Sequence, residues 1–287
     1  MLLTWSMINL SKYRGVVNAT PFIFMRVEMD FILESTDFDE LVAKSVKGAE
    51  HLKEHYFDDA YKAELIRVLK ESNWYDSYSR EIKEDSKNTK GPKMLSVASS
   101  SRLCFIYFYP QGVRFEEKVD TGLRGGQPQL DAYKDNVYYE CKCHEIFASH
   151  DTLSNSYRDK LKEVFGINAE NLDNDSYVKL SLYDFGIDDG TSSYDLHFDL
   201  KQMICHLLGL ANSAKNSTLQ YIFFTPKKEI IAENPECQKV YDVLNQEIEK
   251  IWNSPVIKNV CSTYGIKLPK PNFIEVSEIK DFILERL

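Results

Sequence analysis

In the stretch Gln127 to Phe147, QPQLDAYKDNVYYECKCHEIF, Asp131 is followed by Glu140 and, one residue beyond Cys141, by Lys142. Two carboxylates converging beside an ammonium form an arrangement that holds a divalent cation next to an activated water. Mg²⁺ keeps several waters and takes one or two carboxylates together with phosphate oxygens of a substrate. Asp131 and Glu140 supply the carboxylates, and the Cys141 backbone carbonyl adds a third oxygen; Mn²⁺ suits the same donors. Lys142 would then orient or deprotonate a water for attack at phosphorus and lend charge to the transition state. A lysine beside a metal can have a lowered pKa, which suits a proton acceptor.

The elements around these residues must bring them together. The stretch reads as two strands joined by a turn at Lys134-Asp135-Asn136. Side chains on a strand alternate between faces. Tyr138, Glu140, Lys142 and His144 therefore share one face, and Val137, Tyr139, Cys141 and Cys143 the other. The first set is expected to look outward to a site, where His144 could touch substrate, and the second inward to a core. The phase also weighs against reading Cys141-x-Cys143-His144 as a zinc site, because His144 points away from both cysteines and no second Cys/His pair stands at a usual spacing. The plain alternative is a solvent-exposed Glu140–Lys142 ion pair.

Further out, Leu41, Val42, Val46, Ala49 and Leu52 recur at helical spacing after Asp37, and a second helix is expected over Tyr61 to Glu71. Pro21 to Val27 is rich in β-formers, and Met29 opens a more ordinary sequence than the 28 residues before it. SKNTKGPK, Ser86 to Lys93, is a polar loop in which Lys90 and Lys93 could contact phosphate. Met94 to Tyr109 reads as a buried helix, although FIYFY has strand propensity. A strand is expected over Gly112 to Val119, and a glycine-rich loop over Thr121 to Pro128. Residues 148–197 read as a polar insertion, with a helix near Tyr157 to Phe165, a strand near Val178 to Tyr183 and a loop over Asp184 to Ser193. A helix over Phe198 to Ala211 precedes the apolar strand Leu219 to Thr225. Helices over Pro235 to Trp252 and Glu275 to Leu287 close the chain.

Net charge is −9, from 44 acidic and 35 basic residues, which argues against coating nucleic acid by bulk charge but leaves room for a local basic groove. Six cysteines, with only Cys141 and Cys143 close together, suggest reduced thiols and no disulfide framework. No apolar run is long enough to span a bilayer, and no signal peptide pattern is evident, so a cytoplasmic location is expected.

The order helix, strand, strand, strand, helix, strand from Met94 to Thr225, with Gln-Leu-Asp131 and Glu140-Cys-Lys142 on its hairpin, resembles the PD-(D/E)xK nuclease superfamily. Leu130 stands where the motif has its proline. The resemblance implies an α/β, restriction endonuclease-like core over residues 94–230, carrying the insertion 148–197. An N-terminal helical region (1–93, of which 1–28 is a doubtful start) would pack on it, and a C-terminal helical extension (231–287) would follow. It implies Asp131 and Glu140 as metal ligands, Lys142 as the catalytic lysine, and an upstream acid at Glu116 or Glu117. Glu116 is preferred, because Glu117 is in phase with the apolar Phe115 and Val119. Gln202, on the following helix, falls where some members place a polar site residue. The implied activity is Mg²⁺-dependent hydrolysis of phosphodiesters, in DNA first and RNA second, with a homodimer left open. The alternative is the same fold kept as a nucleic-acid- or protein-binding module with little catalysis.

Overall fold

The computed structural model describes residues 56–83, 92–124, 127–147, 152–168, 177–180, 182–187 and 196–287. The expected helix over 37–52, the fragment Pro21 to Val27, the status of residues 1–28, Lys90, Gly125-Gly126 and the far end of the Asp184 to Ser193 loop lie outside them.

Helix α1 (Asp59–Glu71) starts at Asp58, whose carboxylate accepts the amide protons of Ala60 and Tyr61, and it buries Tyr61, Leu65, Val68 and Leu69. Helix α2 (Tyr75–Ile82) has only Tyr78 and Ile82 buried, too thin an apolar stripe to be read from the sequence. Helix α3 (Ser100–Phe108) begins later than the apolar run suggested. Lys93–Leu95 forms a separate 3₁₀ turn, and the Ser99 hydroxyl caps the helix by accepting the Arg102 amide proton. All of α3 except Tyr107 is buried, so its strand-like composition reflects packing on all sides.

Strands β1 (Arg114–Lys118), β2 (Gln129–Lys134) and β3 (Val137–Lys142) follow. Asp135 and Asn136 have φ of +49° and +65°, the left-handed pair that closes a two-residue hairpin with the natural strand twist. Within the insertion, β4 (Thr152–Ser154) pairs with β5 (Tyr177–Lys179), while α4 (Arg158–Lys160) runs into a π-helical turn over Leu161–Phe165. Helix α5 (Leu200–Ser213) is capped by Asp199, and β6 (Thr218–Thr225) is buried from Leu219 onward. Helices α6 (Lys228–Glu233), α7 (Pro235–Asn253) and α8 (Pro255–Tyr264) lead to β7 (Asn272–Glu275).

The result is an α/β fold with a mixed five-stranded sheet in the order β1-β2-β3-β6-β7. β1, β2 and β3 are antiparallel neighbours, and β6 and β7 add on in parallel. The expected order α3-β1-β2-β3-α5-β6 is present. The chain end is different from expectation. Glu275 to Leu287 forms no long helix; Asn272–Glu275 pairs with β6, and 3₁₀ turns follow over Val276–Glu278 and Leu284–Arg286. A buried strand such as β6 needs a hydrogen-bond partner on its second edge, and β7 supplies it. Residues 231–287 thus combine helices with one strand of the sheet, Asn272–Glu275.

A single buried cluster runs from Phe57 through the sheet to Leu284 and includes α1 and α2. Arg102, fully buried, pins the ends together: its Nη1 lies 3.0 Å from Asp281 Oδ2, and its Nη2 donates to the Val97 carbonyl at 2.7 Å. Tyr61 Oη donates to the same Asp281 oxygen at 2.8 Å. Among the described residues no helix is long and apolar enough to cross a membrane.

Candidate active site

The site lies where β2 and β3 part. Their backbone pairing runs from Lys134–Val137 to Ala132–Tyr139 and stops there. The Cys141 amide proton, one step further, goes to the side chain of Asp131, with Oδ2 at 2.6 Å. Asp131 therefore plugs the gap between the strands with its carboxylate beside Glu140. Beyond Glu140, the parallel pairing with β6 places Tyr221 opposite that residue.

Lys142 Nζ donates to Glu140 Oε1 at 2.7 Å and also to Gln202 Oε1 on the first turn of α5. The structure thus brings Asp131, Glu140, Lys142 and Gln202 together. It corrects one expectation: Glu140 and Lys142 do not look outward from an exposed face. They are 2% and 8% exposed, because α5 lies over that side of β3. Cys141 and Cys143, on the other face, are in the core as expected. The Cys141 contribution to the site is its backbone, since its thiol is packed inside.

Glu116 reaches the same group by an unusual backbone. In β1, Phe115 pairs with Ala132 and Glu117 with Leu130, and Glu116 between them has φ of +55°. A left-handed glutamate inside a strand is strained and suspends the regular alternation of faces. Glu116 consequently turns toward Asp131 and is held by the Gln129 side-chain amide, while Glu117 pairs with Arg114 at 3.2 Å. The preference for Glu116 over Glu117 coincides with this geometry, but by a route that strand phase could not foresee.

Electrostatics follow from crowding acids under a helix. Burial, then repulsion from Glu140, pushes the Asp131 pKa up to about 8. Burial, Asp131 and Glu81 push Glu116 up to about 8. Burial raises Glu140 as well, against the pull of Lys142. Burial alone would lower Lys142, yet Glu140, Glu145 and Asp131 outweigh it and hold the pKa above the ordinary lysine value. In the metal-free site the surrounding carboxylates thus hold Lys142 as a cation.

Two acids escaped the sequence reading. Glu81, on α2, pairs with Lys93 at 3.4 Å, and its Oε2 is buried without a hydrogen-bond partner. Glu145 accepts the Cys143 amide proton at 2.8 Å and the Ser100 hydroxyl proton. Burial works against its charge, but His144, Lys142 and Ser100 bring its pKa down to about 2. Neither stands at a motif spacing; the packing of α2 brings Glu81 near, and the 3₁₀ turn directly after β3 folds Glu145 back onto the Cys143 amide. Lys93, half exposed, sits at the rim through Glu81. His144 leaves the strand alternation: β3 ends at Lys142, and the following 3₁₀ turn places His144 Nδ1 2.8 Å from the Ala98 carbonyl. A cavity of about 10 Å³ bordered by Lys142, Glu145, His197 and Asp199 has room for one water.

Beneath Glu140, the fully buried His206 of α5 has its pKa lowered to about 3 by burial and by Lys142. Among the described residues no group of three or more His, Cys, Asp and Glu side chains is arranged to hold a metal ion. No family model, no curated protein and no solved structure matches this chain.

Proposed function

We propose that this protein is a Mg²⁺-dependent phosphodiesterase acting on nucleic acid, DNA in the first place. The observation that carries the reading is a buried ammonium, Lys142, bridging Glu140 and Gln202 beside a second, half-buried carboxylate, Asp131. Strongly shifted ionisable groups gathered in one place are a mark of chemistry more than of packing.

The donor set fits a hard cation. Glu140 Oε2 is buried with no hydrogen-bond partner, and burial and the neighbouring Glu140 hold the Asp131 pKa up against Lys142, a strain that a cation would relieve. Two carboxylates and the Cys141 carbonyl number fewer than three side-chain ligands, and Mg²⁺ completes such a set with water and phosphate oxygens. When bound, the ion supplies polarisation of the phosphoryl group and a more acidic water. Lys142, held as a cation by the carboxylates around it, offers electrostatic stabilisation to the oxygens around phosphorus and pulls against the upward shift of Glu140. Gln202 orients the Lys142 ammonium, Glu116 adds a third anion to the cluster, and Lys93 at the rim is placed to meet a phosphate.

A second reading has its own observation. The near-complete burial of Glu140 and Lys142 is what a fold retained for binding alone would also show. Supercoiled plasmid incubated with Mg²⁺ or Mn²⁺, wild type beside Lys142→Ala, separates the two. Nicking that needs metal and is lost in the variant supports the enzyme. Equal background in both, with plasmid retarded on a gel, would leave only the binding module.

A further inference from the structure

Two buried polar atoms face each other under the site, one on the Glu140 carboxylate and one on the ring of His206. Glu140 Oε2 and His206 Nε2 each lack a hydrogen-bond partner, and they lie 3.6 Å apart. The side chains of Glu140 and His206 are 3% and 1% exposed, so water does not compensate either atom. On its other side, His206 Nδ1 is 3.3 Å from Tyr221 Oη, and Tyr221 is the residue opposite Glu140 in the β3–β6 pairing.

We propose that His206 is a positioning residue for Glu140, donating its Nε2 proton to Oε2 while Tyr221 Oη donates to Nδ1. The chemistry of the three groups orders the chain. Glu140 already accepts from Lys142 Nζ at Oε1, 2.7 Å away, and a carboxylate in such a pair only accepts, so the imidazole nitrogen facing Oε2 must carry the proton. A neutral ring then has Nδ1 free to accept, and the tyrosine hydroxyl is the donor available there. A closure of a few tenths of an ångström brings the 3.6 Å approach to hydrogen-bond length. Glu140 would be fixed through both oxygens, Oε1 by Lys142 and Oε2 by His206, leaving its remaining lone pairs toward Asp131. The functional part rests on the metal-dependent reading above, since a carboxylate ligand is oriented by the hydrogen bonds behind it.

The test has two arms. In the first, the tautomer of His206 in the metal-free wild type is read by long-range ¹H–¹⁵N correlation. The Nε2-protonated form is expected, with a proton resonance that shifts in Glu140→Gln. An Nδ1-protonated ring, or an Nε2 proton indifferent to Glu140→Gln and so bonded to the nearby Gln129 carbonyl, would overturn the proposal. In the second, Mn²⁺ is titrated calorimetrically into wild type, His206→Phe and His206→Gln. The phenylalanine variant should bind about 10- to 100-fold more weakly, and the glutamine variant, which keeps an N–H near Nε2, should recover most of that. Equal affinity in all three refutes the positioning role. A wild type that neither binds Mn²⁺ nor nicks plasmid would fell the nuclease reading, whereas the tautomer arm still decides the hydrogen bond.

Discussion

Replacing Asp281 by asparagine keeps the shape of the side chain and removes its charge from a place water does not reach. Arg102 is 0% exposed and the Asp281 side chain 3%, with Nη1 and Oδ2 3.0 Å apart. The guanidinium keeps its bond to the Val97 carbonyl and a longer one to the Ser96 carbonyl, and it stays stacked 4.5 Å from the Phe57 ring, but no other anion faces it among these contacts. Removing one partner of a buried pair costs about 3–5 kcal/mol, because the remaining charge is left uncompensated. Asp281→Ala goes further: Tyr61 Oη loses its acceptor, adding about 1–3 kcal/mol. The chain can escape part of this by releasing its last residues, so the lower end, about 3 kcal/mol for Asp281→Asn, is the expected value. That corresponds to a melting temperature lower by about 6 °C or more in a chain of this size. Urea and thermal denaturation followed by circular dichroism would measure it. Arg102→Met combined with Asp281→Leu should recover much of the loss, as hydrophobic replacements of buried pairs do. If Asp281→Asn lies within about 1 kcal/mol of wild type, the pair is not the clamp between α1, α3 and the chain end that its geometry indicates.

Other expectations concern the site and the helix over it. Gln202→Leu removes one acceptor from the buried Lys142 and should cost about 1–3 kcal/mol of stability and slow metal-dependent nicking about tenfold, whereas full activity in the folded variant would strip Gln202 of its orienting role. Gly209→Ala would place a methyl 2.3 Å from Val119 Cγ2 and should destabilise the protein by about 1–3 kcal/mol; helix propensity alone would predict a gain, so the sign in a urea titration decides. In the metal-free protein Glu116 and Asp131, both near 8 when folded and near 4 when unfolded, favour folding at acid pH, and this contribution fades as pH rises through 8. Because the two acids raise each other, one shared proton is counted, and about 3–4 kcal/mol should be lost between pH 5 and 8. A urea midpoint that climbs over this interval would contradict that electrostatic account.

Much of the scaffold could be read from the residues. The apolar run of β6, the Asp-Asn hairpin turn and the helical stripes of α1, α5 and α7 are each local signals, with turn chemistry and periodicity fixing them without help from distant parts. The alternation along β3 likewise sorted Cys141 and Cys143 from Glu140 and Lys142. Burial was not legible. Alternation says that Glu140 and Lys142 share a side, but whether that side meets water depends on α5, which is set by the close approach of Gly209 to Val119.

The amino-acid order by itself determined which groups could do chemistry, Asp131, Glu140 and Lys142, and the strands that carry them, because hydrogen-bonding capacity and strand period are properties of neighbouring residues. Only the tertiary structure decided that Lys142 is held as a cation in the metal-free site, that Glu116 bends in by a left-handed backbone, and that Glu81, Glu145 and His206 surround the site. Charge state and burial arise from what comes to lie nearby in space, and most of those neighbours arrive from α2 and α5, at sequence distances that carry no local signal.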